Sequence, residues 1–273
     1  MPTKENTTDG GVSSIVLATL PPAPADSPAH PAKFSSDVLG AMAAHVRGRV
    51  LDPFAGVGRV HALAAVEAVT GTVGVELEPE WARCHPATIV GNALRLPFRP
   101  RSFDTVATSP TFGNRLSDHH NARDGSVRHS YTHDLGHELH ADNSGRLPFG
   151  SAYRSFHEAA WRECRRVLRV GGLFVVQVSD FIRDHQTIPV VSFHRLALTR
   201  LGFTLIHEVY VPKGGLRYGA NRERVPHDVV LVFSFGPPSR PRRAAGRRRA
   251  PVHHEPAQVP GQLSIYDELG TSQ

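Results

Sequence analysis

Val50-Leu51-Asp52-Pro53-Phe54-Ala55-Gly56-Val57-Gly58 runs from an apolar strand into a glycine turn, and an alanine-rich stretch, Arg59 to Val69, follows with a helical pattern. A strand–glycine loop–helix unit brings backbone close to a ligand, and glycine alone leaves room for that approach. A dinucleotide site wants G-x-G-x-x-G, with the third glycine letting helix and strand pack closely. Here that third position is His61, and no Lys-Ser/Thr follows to cradle a phosphate chain. The turn therefore fits neither a dinucleotide fingerprint nor a P-loop.

The next two strands narrow the ligand. Thr72-Val73-Gly74-Val75-Glu76-Leu77 is a second strand ending in an acid, about twenty residues on, where a carboxylate accepts the hydroxyl protons of a ribose. Ala87-Thr88-Ile89-Val90 is a third, closed by Gly91-Asn92-Ala93, and the Asn92 amide suits the edge of an adenine. Glycine turn, acid and amide together describe adenosine without its phosphates.

A fourth strand, Ser102 to Thr108, delivers Ser109-Pro110-Thr111-Phe112. The series D-P-F-A-G-V-G, V-E-L-E-P-E, G-N-A-L-R-L-P-F and T-S-P-T-F-G-N-R resembles the class I S-adenosylmethionine-dependent methyltransferases. Within them it is most similar to the DNA amino-methyltransferases, which carry an F-x-G-x-G cofactor turn and a [D/N/S]-P-P-[Y/F] catalytic loop. The resemblance spans about 34 to 235 and matches a permuted group in which the cofactor turn comes first. It implies S-adenosylmethionine as cofactor, with Asp52, Phe54, Gly56, Gly58, Glu76 and Asn92 holding it, and Ser109, Pro110 and Phe112 as catalytic residues. Two positions depart from the family pattern: Thr111 replaces the second proline, and Asn92 stands where many relatives have an acid.

The chemistry fits those residues. An exocyclic amine of a base is a poor nucleophile because its lone pair is delocalised into the ring. Acceptors such as Ser109 Oγ and the Ser109 or Pro110 carbonyl draw its protons away and its nitrogen toward tetrahedral geometry. Phe112 would stack on a base flipped out of its helix. Attack on a sulfonium methyl then needs mainly proximity and alignment. A C5-cytosine enzyme needs a cysteine nucleophile in this loop, and there is none.

Downstream, Ser151 to Leu168 is an amphipathic helix, Gly171-Gly172 ends it and starts a strand at Leu173, and a helix from Val190 to Leu201 stops at Gly202. Thr204 to Val211 and Asp228 to Phe235 read as the last two strands. Alternating strands and helices predict an α/β, Rossmann-like, doubly wound, mostly parallel seven-stranded sheet with an antiparallel last strand. Ligands gather outside the carboxyl ends of such strands, where Gly56, Glu76, Asn92, Ser109 and Asp180 all fall.

The long polar stretch 113–150 is expected to face substrate, with Arg115, Asn121, Arg123 and Arg128 on phosphates. Its histidines, among them His119, His120, His129, His133, His137 and His140, show no tetrahedral ligand spacing, so no metal is expected. A second basic loop, Lys213 to Arg224, offers Arg217, Tyr218, Asn221 and Arg222 for phosphate contact and stacking.

The 273 residues carry a net charge of +6, with 40% hydrophobic and 21% charged residues, which fits one α/β domain with a polyanionic partner. Residues 1–33 and 236–273 read as disordered tails, the second holding the arginine run Arg240 to Arg249. Gln262-Leu263-Ser264-Ile265-Tyr266 resembles the Q-L-x-L-F peptides that dock bacterial sliding clamps. Two cysteines, no signal-peptide core and no apolar run of membrane length predict a cytoplasmic protein, nucleoid-associated in a bacterial or phage setting. The expected activity is methylation of cytosine N4 or adenine N6 in DNA. A guanine-N2 RNA methyltransferase and a non-catalytic nucleic-acid-binding scaffold remain open beside it.

Overall fold

Val50 and Leu51 are both fully buried although they point to opposite sides of one strand, so β1 (Gly48–Asp52) lies inside a sheet covered on both faces. The computed structural model describes residues 29–32, 35–114, 116, 130–213 and 224–236. Seven strands form the main sheet: β1, β2 (Val69–Glu76), β3 (Thr88–Val90), β4 (Phe103–Thr108), β5 (Leu168–Val178), β8 (Phe203–Pro212) and β9 (His227–Phe235). Their order is β3-β2-β1-β4-β5-β9-β8. The pairs β1–β2, β2–β3, β1–β4 and β4–β5 are parallel, and β9 runs antiparallel to both β5 and β8. This is the expected class I methyltransferase architecture, with the last strand reversed.

Two apolar layers hold it. Helix α1 (Ser36–Ala43), capped by Ser35 Oγ on the Val38 amide, packs Val38, Leu39 and Met42 against Val50, Val175 and Val230. On the other face α4 (Ser151–Val167) and α5 (Val190–Arg200) bring Trp161, Cys164 and Leu198 onto Leu51, Val106 and Phe174. Helix α4 repeats its buried residues, Tyr153, His157, Ala160, Trp161, Cys164 and Val167, at three- and four-residue intervals, which makes one continuous stripe. Both cysteines, Cys84 and Cys164, are buried free thiols.

The chain departs from expectation in four places. The helix expected over Arg59 to Val69 is a 3₁₀ segment, Arg59–Ala65, because Val66 turns extended and β2 already begins at Val69. The strand after α4 begins at Leu168 rather than Leu173. Leu168 is buried and extended, and Gly171 (φ 81) lies in a bulge where the partners of Phe103 and Thr105 jump from Leu168 to Leu173. A small hairpin, β6 (Phe181–Arg183) and β7 (Gln186–Ile188), turns on Asp184 and His185, both at positive φ. Without Asn-Gly or Gly, that turn carries no sequence signal. Finally, the stretch 113–150 contains ordered pieces: α3 (Tyr131–Leu135) and a 3₁₀ turn, Ser144–Arg146. A four-residue helix, α2 (Pro79–Ala82), follows β2.

From β1 the chain winds outward to β2 and β3, then crosses back to β4 on the other side. The carboxyl ends of β1 and β4 therefore flank the point where the winding direction reverses, the place where open α/β sheets form a crevice.

Candidate active site

The glycine turn begins where β1 leaves the sheet. Gly56 adopts φ +51, which favours glycine, and a Cβ there would lie 3.0 Å from His30 Nε2, a contact tight enough that the His30 ring would have to give way. Its N–H donates to Glu76 Oε2 at 2.7 Å. Glu76 Oε1 accepts from the Leu77 and Glu78 amides at 2.8 and 2.9 Å. Three backbone donors thus fix a carboxylate that burial pushes up to about 7, and one acceptor site remains on Oε2.

Asp52 stands behind the turn. Its Oδ1 accepts from Thr108 Oγ1 at 2.6 Å and from the Phe54 amide at 3.0 Å, tying the end of β1 to the end of β4. Its Oδ2 is buried without a partner. Burial pushes this carboxyl too up to about 7, and the charge on Glu76 adds to the effect.

Gly58 plays a packing part. At φ +82 it faces a stack of His61 and His85, centroids 3.7 Å apart, and a Cβ would meet His85 Cβ at 2.8 Å. His61, the residue that broke the dinucleotide fingerprint, bonds Thr72 Oγ1 at 2.9 Å and Thr88 Oγ1 at 2.8 Å. It pins β2 and β3 beneath the turn. Burial, then His85, lowers its pKa to about 3, so the ring is neutral.

Beside this turn, β4 delivers Ser109. Its hydroxyl donates to Gln177 Oε1 on β5 at 2.5 Å. Thr111 makes two ties: its Oγ1 meets Ser144 Oγ at 2.8 Å, and its carbonyl accepts from Tyr153 Oη at 2.7 Å. Gly113, at φ +78 and with Phe149 N 3.3 Å from a notional Cβ, ends the loop. Gln177 belongs to no sequence motif; only strand pairing places it next to Ser109.

Segments distant in sequence complete the walls. Glu78 Oε1 accepts from the His140 amide at 2.9 Å and Asn143 Nδ2 at 2.7 Å, which holds part of 130–150 over the site. Asn92 Oδ1 is spent on the Leu94 amide, while its Nδ2 lies 3.4 Å from Asp142 Oδ2. Residues 29–32 contribute as well: His30 packs edge-on against Trp81 at 4.4 Å and Trp81 Nε1 donates to the Ala29 carbonyl.

These parts enclose one cavity of about 270 Å³. Of the residues singled out in the sequence, Phe54, Gly56, Glu76, Asn92, Ser109, Pro110 and Phe112 line it, and Asp52 and Gly58 support the turn from behind. Asp180, at the end of β5, instead accepts the Val191 amide at the start of α5. Arg115, Asn121, Arg123, Arg128, Arg217, Tyr218, Asn221, Arg222 and the Gln262–Tyr266 segment lie outside the described residues. Among the described residues no group of three or more His, Cys, Asp and Glu could hold a metal ion, and no helix is long and apolar enough to cross a membrane.

No protein-family model and no curated protein matches the chain. Similar solved structures include a chain of the complex between the Haloferax volcanii Trm112 methyltransferase activator and a methyltransferase. It is 15% identical, with a TM-score of 0.47, over 72% of this chain and 88% of that one. The YcgJ protein of Bacillus subtilis gives 16%, 0.44, 73% and 98% for the same measures. A SAM-dependent methyltransferase of Methanosarcina mazei gives 13%, 0.43, 69% and 93%. These likenesses concern the fold.

Proposed function

We propose that this chain is an S-adenosylmethionine-dependent methyltransferase acting on the exocyclic amine of a base in DNA, cytosine N4 or adenine N6. The observation that carries the reading is one cavity lined both by Gly56, Glu76 and Asn92 and by Ser109, Pro110 and Phe112.

The residues fit such a cofactor. Gly56 gives a floor without a side chain, Phe54 an apolar wall, Asn92 Nδ2 a donor for a base edge, and Glu76 Oε2 one acceptor site for a ribose hydroxyl. The partnerless Asp52 Oδ2 beneath the turn favours a cationic ligand nearby. When bound, S-adenosylmethionine supplies a methyl group activated by a sulfonium.

The protein's share is orientation. Because Ser109 gives its proton to Gln177 Oε1, its lone pairs remain to accept a proton of the substrate amine. Pro110 has no N–H, so its stretch of the loop presents carbonyl oxygen alone. Phe112 lines the cavity, where its ring could stack on an unstacked base. DNA as substrate rests on the S-P-T-F loop and the basic sequence; Arg240 to Arg249 would add salt-sensitive contacts, and Gln262–Tyr266 a clamp contact near the nucleoid.

The test is incubation with methyl-labelled cofactor and, separately, DNA and RNA, followed by digestion to nucleosides. Label in 4-methylcytosine or 6-methyladenine from DNA is the expected result; label in RNA guanine, or none at all, overturns it. Ser109→Ala should cut turnover on the order of 100-fold at unchanged cofactor affinity.

A further inference from the structure

Thr111 lies between Pro110 and Phe112, and the bond from Tyr153 Oη to its carbonyl, 2.7 Å long, has only one possible direction. A carbonyl cannot donate, so Tyr153 does. Tyr153 Oη also lies 2.9 Å from His194 Nε2. With its own proton committed to Thr111, the phenol must receive there, so His194 carries its hydrogen on Nε2. The bare Nδ1 then accepts from Trp161 Nε1, 3.1 Å away, a group that can only donate. Both ends of the chain fix the polarity of every link.

All three side chains are fully buried. Burial, with His157 adding, holds His194 well below the ordinary imidazole range and keeps the ring neutral, as a single tautomer requires. Burial likewise pushes the Tyr153 phenol well above its usual range, so the donor proton stays in place. Trp161 and Tyr153 sit two turns apart on one face of α4, and His194 reaches across from α5. Trp161 also packs edge-on against Phe54 in the cavity wall, with centroids 5.8 Å apart. The chain therefore begins behind one half of the cavity and ends on the backbone of the other.

We propose that Trp161, His194 and Tyr153 form a one-way hydrogen-bond relay that positions the Ser109–Phe112 backbone for methyl transfer. All three are positioning residues, and the proposal rests on the functional reading above. The loop needs such an anchor because Pro110 has no N–H and Thr111 is otherwise tied through its side chain to Ser144. Losing the Tyr153 proton frees the Thr111 peptide to rotate, and Phe112 and the Pro110 carbonyl shift with it.

The experiment compares wild type, Tyr153→Phe, Trp161→Phe and the double variant. For each it measures S-adenosylhomocysteine affinity, KM, kcat and the nitrogen-15 shifts of the labelled His194 ring. Tyr153→Phe should lower kcat on the order of 10- to 100-fold, with KM and cofactor-product affinity within about twofold. Trp161→Phe should lower kcat less, keep hydrogen on Nε2 while the Nδ1 resonance shifts for want of its donor, and add nothing in the Tyr153→Phe background. A merely structural role would leave kcat of the folded variants intact or make their losses multiply, and either result overturns the proposal. So does an Nδ1–H signature in wild type. Should Tyr153→Phe fail to fold, Trp161→Phe, which leaves the bond to Thr111 in place, carries both readouts. If wild type neither binds S-adenosylhomocysteine nor transfers methyl groups, the functional reading has failed. A surviving Nε2–H signature then shows the bonds are real but serve no methyl transfer, which overturns the positioning role.

Discussion

Asp52→Asn measures what burying a charge beneath the glycine turn costs this fold. Asp52 is 1% exposed, its Oδ1 holds Thr108 and the Phe54 amide, and its Oδ2 has no partner. Burial raises its pKa from 3.8 to about 7. Between those values the folded carboxyl keeps a proton that the unfolded chain has released, so stability falls as pH rises through the window and levels off above it. Over the two units from about pH 5 to about pH 7, at about 1.36 kcal/mol per unit, this one group removes about 3 kcal/mol. In a chain of this size that is a Tm loss on the order of 6–12 °C. Asparagine keeps the Oδ1 acceptor and cannot ionise. Its amide hydrogens enter a place without an acceptor, a cost of about 1–3 kcal/mol that does not vary with pH. The readout is therefore the slope and not the level. Glu76, also raised to about 7, keeps its own slope in both proteins. Thermal unfolding followed by circular dichroism from about pH 5 to about pH 8 should show wild type losing Tm much more steeply than Asp52→Asn. Parallel curves would refute the reasoning.

Three further outcomes follow from the same contacts. Glu76→Ala strips the acceptor from the Gly56, Leu77 and Glu78 amides, so it should destabilise the fold by about 1–3 kcal/mol in urea unfolding and weaken S-adenosylhomocysteine in calorimetry. Unchanged affinity would remove Glu76 from the cofactor site. Gly56→Ala puts a side chain at φ +51 and 3.0 Å from His30 Nε2, and should lower stability by about 1–2 kcal/mol together with cofactor affinity. Glu78→Ala releases the His140 amide and Asn143, so hydrogen exchange across 140–144 should accelerate, while Glu78→Gln, which keeps one acceptor oxygen, should change it little. Equal exchange in all three proteins would show that Glu78 does not hold this segment.

The sequence by itself determined the seven strands of the main sheet, short of some of their bounds, and the chemistry at their ends. Buried strands in a parallel sheet must be short and apolar on both faces, so V-L-D-P-F, T-V-G-V-E and F-D-T-V-A-T announce themselves. The turn residues after them, Gly56, Glu76, Asn92 and Ser109, are legible because strand ends in such a sheet share one rim. Local patterns cannot report partners made across the sheet or between helices. Gln177 is one of five glutamines in the chain, with nothing to mark it until β4 and β5 pair. His61 looks like a damaged fingerprint until Thr72 and Thr88 close around it. Tyr153, Trp161 and His194 look like ordinary core residues of two amphipathic helices until those helices pack and the three polar tips meet. The Arg59–Val69 stretch failed as a helix for a related reason: the composition is helical, but β2 needs Val69 onward to reach its pairing with β1. Side chains facing a shared edge are set by strand and helix geometry that each segment carries alone, whereas hydrogen-bond partners 30 to 70 residues apart exist only once tertiary packing has brought both to the same dry place.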